Sequence, residues 1–308
     1  MDLRDKRILV TGGHGFLGQH VVETLRARGC SKVFTPTHAD FDLINPRDIR
    51  AMFATYQPEI VIHMAAVLGG IGMHIHTHGK FLYENLTMGL NMMEIAREFG
   101  VEKFVNLGTA CSYSATLPHP VKEEYLWSGF PEKTTSSYGI AKLVMLLQGQ
   151  TYREQYGMNC ICLIPANVYG PKDATDPKKT HIIPALIVNR LQNNPFVVWG
   201  TGRATREFIY ATDCAEAIVL ATETYNSPEP INIGTGVETP IATVARMIAV
   251  AMDYKGEIVW DLTKPDGHSG RVFDVSRAQE KLGWKSTTSL QDGLKLTVDW
   301  YVRNHATV

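Results

Sequence analysis

A short apolar run, Ile8-Leu9-Val10-Thr11, leads straight into Gly12-Gly13-His14-Gly15-Phe16-Leu17-Gly18. Glycines at 12, 15 and 18 make the pattern GxxGxxG, and residues 19–29 then carry helical spacing. A sharp turn from strand to helix needs a residue that tolerates positive φ, which glycine does. This stretch therefore reads as strand, turn and helix, the opening unit of a doubly wound α/β sheet. Missing Cβ atoms let a ligand approach the backbone, and a helix N-terminus offers free N–H groups and a positive dipole end to phosphate. A purely structural turn could use the same glycines. Their place directly after a strand and before an amphipathic helix favours the pyrophosphate of a dinucleotide.

The rest of the first half repeats that alternation. Residues 32–35, 59–64, 103–107 and 159–164 read as strands, and residues 47–56, 80–99 and 138–156 as helices. Near-continuous apolar strands between helices predict a parallel sheet covered on both faces. After Pro171 the pattern loosens. Shorter elements follow: a helix from Pro184, strands at 196–199 and 207–210, a helix near Asp213, a strand at 231–233, a helix at 241–252, a strand at 257–260 and a closing helix from Leu290. The expected architecture is a Rossmann-type doubly wound parallel sheet, residues 1–170, and a smaller mixed α/β substrate lobe, residues 171–308, with some segments returning to the first domain.

Composition narrows the function. The 308 residues are 44% apolar, enough for a full core, and Lys plus Arg (30) balance Asp plus Glu (31). No broad basic field exists to attract nucleic acid or an anionic membrane. No apolar run approaches the ~18 residues of a membrane span. The polar start, residues 1–7, runs into a strand, so no signal peptide is expected. The five cysteines lack disulfide-framework spacing, which points to a reduced, cytoplasmic setting. Cys160 and Cys162 alternate in an apolar strand and are expected in the core.

Tyr138 and Lys142 form YxxxK, and on a helix i and i+4 share a face. An ammonium beside a phenol stabilises the phenolate and is expected to lower its pKa. Tyr138 could then exchange a proton with a substrate oxygen while hydride moves between carbon and nicotinamide. A chance surface pair is the alternative, and the upstream glycine turn weighs against it. Thr109, after the strand at 103–107, could hydrogen-bond the same oxygen or could serve a turn. Where an acidic residue would grip a ribose 2′-OH, the chain reads Thr35-Pro36-Thr37-His38. Neither carboxylate nor arginine stands there; His14, His38 and the later Asp40 and Asp42 are the nearby polar groups.

These motifs, with His63-Met64-Ala65-Ala66, resemble the extended short-chain dehydrogenase/reductases that act on nucleotide sugars. Within them the chain resembles the GDP-L-fucose synthase family, epimerase/reductases of GDP-4-keto-6-deoxymannose. The resemblance is carried by Ala65-Ala66-Val67-Leu68-Gly69-Gly70-Ile71, Gly108-Thr109-Ala110-Cys111, Asn167-Val168-Tyr169-Gly170-Pro171 and His181-Ile182-Ile183-Pro184-Ala185-Leu186. Trp199-Gly200-Thr201-Gly202, Arg206-Glu207-Phe208-Ile209, Lys264-Pro265-Asp266-Gly267 and Asp274-Val275-Ser276-Arg277 extend it over nearly the whole chain.

The resemblance implies 3,5-epimerisation and C4-keto reduction of a GDP-4-keto-6-deoxyhexose. Cys111 and His181 match the family's base and acid, and Tyr138, Lys142 and Thr109 the reductive group. A C4 ketone acidifies the hydrogens on both flanking carbons, so a thiolate and an imidazole on opposite ring faces could remove and return them. A buried thiol and a helix-capping histidine are the bland readings of that pair. NADP(H) is expected over NAD(H), at Gly12, His14, Gly15, Phe16, Leu17, Gly18, His38, Asp42, Ala65, Tyr138, Lys142, Asn167 and His181. The nucleotide-diphosphate sugar would meet Asn167, Trp199, Arg206 and Arg271. Dehydratases of the superfamily place an Asp-Glu pair where Ala110 and Cys111 stand, so water elimination lacks its acid and base. Departures from the pattern are Val188-Asn189, in place of basic residues, and Gly270, in place of an arginine. A homodimer through the helices at 80–99 and 138–156 is implied, and no metal is expected, since His74, His76 and His78 lack a Cys or carboxylate partner. A nucleotide-sugar 4-epimerase, a C4-reductase without epimerisation and a non-catalytic nicotinamide-binding regulator are the competing readings.

Overall fold

The computed structural model describes residues 1–69, 76–176, 180–264 and 270–305. Gly70-Ile71, His74 and the Pro265-Asp266-Gly267 part of the C-terminal motif lie outside them. Six strands form one wholly parallel sheet: β1 (Ile8–Thr11), β2 (Val33–Phe34), β3 (Ile60–His63), β4 (Lys103–Leu107), β5 (Cys160–Pro165) and β9 (Ile231–Ile233), in the order β2-β1-β3-β4-β5-β9. Strand order reverses between β1 and β3, and in such sheets ligands bind at the carboxyl ends beside the reversal.

Alternate strand residues face opposite ways, and both sets are buried. Ile8, Val10, Ile60, Ile62, Val105 and Leu107 join a core that includes Val21 and Leu25 of α1 (Phe16–Ala27) and Ile218 of α6 (Ala211–Thr224). Leu9, Val61, Phe104 and Cys160 join the opposite core, under Phe53 of α2 (Pro46–Tyr56) and Met92 of α3 (His78–Glu98). Helix α4 (Ser136–Tyr156) packs alongside α3. Lys103 is a buried charge on the sheet. It is fully buried, and its ammonium donates to Ala221 O at 3.1 Å, Thr222 O at 2.6 Å and Asn226 Oδ1 at 3.2 Å. Ala221 O and Thr222 O lie in the last turn of α6, where backbone carbonyls run short of helical donors. Burial holds the Lys103 ammonium down to about 8.

The remaining elements lie mostly in a second centre. They are β6 (Asn167–Tyr169), α5 (Ile182–Gln192), β7 (Phe196–Trp199), β8 (Thr205–Tyr210), β10 (Glu238–Pro240), α7 (Ile241–Ala251), β11 (Ile258–Asp261), α8 (Ser276–Leu282) and α9 (Leu290–His305). β10-β8-β6 and β11-β7 are small separate sheets. Their core joins Ile187, Phe196, Phe208, Val244, Ile248, Leu294 and Tyr301. β9 pairs with β5, and Ala278 and Leu282 of α8 enter the large core, so late segments complete the first sheet.

Candidate active site

Gly12 takes φ +71°, and a Cβ there would lie 2.8 Å from Ala65 N. A Cβ on Gly18 would lie 2.1 Å from Gly12 O. The turn therefore runs against the backbone that leaves β3, at the reversal of strand order. Gly15 precedes α1 without a side-chain cap, and no acidic residue stands in the first turn. These are the open N–H groups a pyrophosphate needs, so the residues present fit a dinucleotide. Thr11 Oγ1 meets His63 Nδ1 at 2.8 Å and accepts from Ala65 N at 3.3 Å, tying the ends of β1 and β3 together. Burial pushes the His63 imidazole down to about 3, so it is neutral. Asn85 of α3 accepts from Val67 N at 2.9 Å and donates to Val67 O at 3.1 Å, pinning the next loop. His14 Nε2 meets Thr35 O at 2.8 Å, just past β2. His38 is exposed, with Nδ1 3.8 Å from Asp42 Oδ1.

At the end of β4, Thr109 accepts from Cys111 N at 3.2 Å and opens a short 3₁₀ turn at Ala110–Ser112. Helix α4 lies directly on that turn. A Cβ on Gly139 would sit 2.3 Å from Cys111 O, and Ser112 Oγ donates to Gly139 O at 3.0 Å. This contact brings Tyr138 near Cys111, with Lys142 one helical turn further on, and both side chains are buried. Lys142 Nζ stands 5.9 Å from the centre of the Tyr138 ring. The expected drop in phenol pKa is corrected here. Burial raises the Tyr138 phenol above its ordinary value and holds the Lys142 ammonium down to about 8. Removing both groups from water outweighs their attraction. Cys111 is half-buried, whereas Cys160 and Cys162 are core thiols that burial pushes up to about 12.

His181 precedes α5 but its side chain caps nothing. Its Nδ1 instead faces Asp173 Oδ2 at 3.2 Å. Asn167 Nδ2 donates to Glu207 O at 2.8 Å. Glu207 is fully buried and accepts from Thr235 N at 2.6 Å, Gly236 N at 2.9 Å and Phe273 N at 2.6 Å. It fastens β8 to the loops behind it and so seats the adjoining Arg206. Burial, then the neighbouring Arg271, lowers the Arg206 guanidinium. Arg271 Nη1 donates to Ala110 O at 2.8 Å, which carries it to the residue before Cys111. A side chain on Gly270 would put its Cβ 2.1 Å from Thr205 O, so no arginine fits there in this backbone.

Not every predicted residue joins this group. Trp199 is 64% exposed, with Lys264 Nζ 5.4 Å from its ring centre. Arg190, next to the departure at Val188-Asn189, stacks over Tyr254 at 3.9 Å. His76 is exposed and His78 begins α3, and among the described residues no cluster of three His, Cys, Asp or Glu could hold a metal. Sequence reading missed Asp173, Asn85 and Glu207. No local signal marked them, because each acts on a group distant along the chain or in another loop.

Comparison with known proteins identifies the family. The model of the NAD dependent epimerase/dehydratase family matches residues 8–234. GDP-L-fucose synthase 1 of Arabidopsis thaliana is 36% identical over 99% of this chain and 95% of its own. A GDP-6-OMe-4-keto-L-xylo-heptose reductase from C. jejuni superposes with a TM-score of 0.91 at 29% identity, covering 99% of both chains. A GDP-L-fucose synthetase from Naegleria fowleri bound to NADP gives 0.90 at 28%, covering 99% of this chain and 96% of that one. The glycine turn, the Tyr138/Lys142 pair and the parallel sheet thus belong to a member of the NAD dependent epimerase/dehydratase family, an enzyme of the extended short-chain dehydrogenase/reductase type.

Proposed function

We propose that this enzyme catalyses NADP(H)-dependent 3,5-epimerisation and C4-keto reduction of a GDP-4-keto-6-deoxyhexose, as in GDP-L-fucose synthesis. The observation that carries the reading is the seating of α4 on the Thr109–Ser112 turn, which groups Cys111 with Tyr138 and Lys142. Cys111 as thiolate takes a proton from a carbon next to the C4 ketone, leaving an enolate. His181, protonated, returns a proton to that carbon from the other face, which inverts it. NADPH, when bound, supplies the hydride for C4. Tyr138 gives its proton to the C4 oxygen, and its raised pKa keeps the phenol protonated for that step. Lys142 lies beside the ring, where its charge favours the phenolate left behind. Thr109 has its O–H for the same sugar oxygen, since its Oγ1 already accepts from Cys111 N.

Gly12, Gly15, Phe16, Leu17, Gly18 and Ala65 hold the pyrophosphate end of the cofactor, and His14, His38 and Asp42 border its ribose. NADP(H) is supported by the NADP-bound GDP-L-fucose synthetase. Arg206 and Arg271 take the substrate diphosphate, since guanidinium forks match phosphate. Asn167 lies at the sugar and Trp199 at the nucleotide. Residues 1–170 act as the dinucleotide-binding part and 171–308 as the substrate lobe. The enzyme works in the cytoplasm as a homodimer joined through α3 and α4. Exposed Tyr83, Leu90 and Leu147 on those helices support that face.

The test supplies GDP-4-keto-6-deoxymannose and NADPH in heavy water and follows cofactor oxidation and deuterium at C3 and C5. Oxidation with label at both carbons is expected, and Cys111→Ser should lose the label while still binding cofactor. Oxidation without label leaves a plain C4 reductase. No oxidation with any 4-keto sugar sinks the reductase claim.

A further inference from the structure

The stretch from Pro171 to Asp173 is held from two sides. Helix α1 grips it through His20 Nε2, 3.0 Å from Pro171 O, and through an ion pair of Glu23 with Lys172. Helix α9 grips it through Tyr301, fully buried, whose hydroxyl donates to Asp173 O at 2.8 Å. The Asp173 carboxylate is 3% exposed. Its Oδ1 accepts from Ala174 N at 2.7 Å, and its Oδ2 is turned to His181 Nδ1 at 3.2 Å. The His181 side chain is 54% exposed. A buried, clamped carboxylate thus holds one nitrogen of a ring whose remainder is open.

We propose that Asp173 is a positioning residue: its carboxylate fixes the His181 ring through Nδ1 and favours the imidazolium, so that Nε2–H is the proton donor of the site. The proposal rests on the acid role of His181 given above. An ionised carboxylate can only accept, so Nδ1 carries a proton in either state of the ring. Nε2 is then the sole nitrogen whose protonation changes. One proton leaves Nε2 for the enolate carbon and the ring becomes neutral, while Cys111 holds the proton it removed, so the exchange balances. Charge supports the geometry. The hydrogen bond and field of Asp173 raise the His181 pKa, against burial, which lowers it. Among the described residues Asp173 is the charged group at ion-pair distance from His181. The other charges of the clamp are engaged elsewhere, Lys172 with Glu23.

The experiment follows the ring carbons of histidine by NMR against pH in the full-length, cofactor-loaded enzyme, with His181 identified by its absence in His181→Asn. The wild-type midpoint should lie above 6.5, the ordinary value. Asp173→Asn should lower it by about one pH unit, as losing an adjacent opposite charge does. The alkaline limb of the deuterium-exchange profile should move down with it, and Asp173→Glu should restore both. A wild-type midpoint at or below 6.5 overturns the proposal, even where Asp173→Asn does not fold. So does an unmoved midpoint in a folded Asp173→Asn. Wild-type exchange in His181→Asn removes the reading beneath the proposal, whereas normal dependence on His181 with an unmoved midpoint removes the proposal alone.

Discussion

Gly139 carries a constraint that its place inside YxxxK hides. The motif asks only that Tyr138 and Lys142 share a helical face, and any residue could separate them. In the fold, the backbone of Cys111 lies where a Gly139 side chain would begin. Gly139→Ala must push α4 off the 3₁₀ turn. Overpacking of this kind costs about 1–3 kcal/mol, and a displacement of about 1 Å between reacting groups costs on the order of 100-fold in rate. Urea unfolding and steady-state kinetics of the variant should show both losses; full activity would mean that α4 and the turn are not held in register. At this scale the sequence disclosed groups with a local signature. Tyr138 and Lys142 are four apart on one helix, and Cys111 and His181 stood in recognisable family contexts. It could not disclose Asp173, because a pairing across eight residues of non-periodic chain has no spacing to read.

Among the elements, the long helices were legible because each repeats its period several times, and the buried strands because each is a short, mostly apolar run. Strand β4 spans the predicted residues 103–107. β6 and β10 were not foreseen. Each has three residues, too few to show alternation, and each exists by pairing with β8. The join between α6 and the C-terminal helix was equally invisible. Asp213 in the first turn of α6 accepts from Ser286 Oγ at 2.5 Å, Thr287 N at 2.8 Å, Thr288 N at 2.8 Å and Thr288 Oγ1 at 2.7 Å, fixing the loop that leads to α9. Those bonds hold its carboxyl below the ordinary 3.8, against burial, which raises it. The stability it contributes is therefore complete above pH 3.8 and is lost as pH falls through the folded value. Asp213→Asn should cost about 2 kcal/mol at pH 7, the scale of bonds to a charged group. Unfolding curves should show that gap closing below pH 3.8; a gap that persists in acid would assign the loss to packing instead.

For the whole molecule, the charge is near neutral, so the proposed attraction of an anionic substrate falls to local groups, Arg206 and Arg271. The proposed association face is a property at this scale as well. Tyr83, Leu90 and Leu147 are 63%, 36% and 47% exposed on the two long helices. Tyr83→Glu combined with Leu147→Glu should give a species near 34.3 kDa in sedimentation equilibrium, half the wild-type mass. A wild-type chain that sediments as a monomer at micromolar concentration would refute the dimer.

The sequence alone determined the doubly wound sheet, the glycine turn and the spacing of the Tyr138/Lys142 pair, since short-range geometry and repeating apolar periods dictate them. Tertiary structure decided what those groups meet. Burial raises the Tyr138 phenol above its ordinary value, and the approach of α4 to the β4 turn brings Tyr138 near Cys111. Asp173, clamped by Tyr301 from the far end of the chain, settles how His181 is held. Desolvation and long-range contact come into being only when the chain has closed on itself, so no stretch of residues read in order contains them.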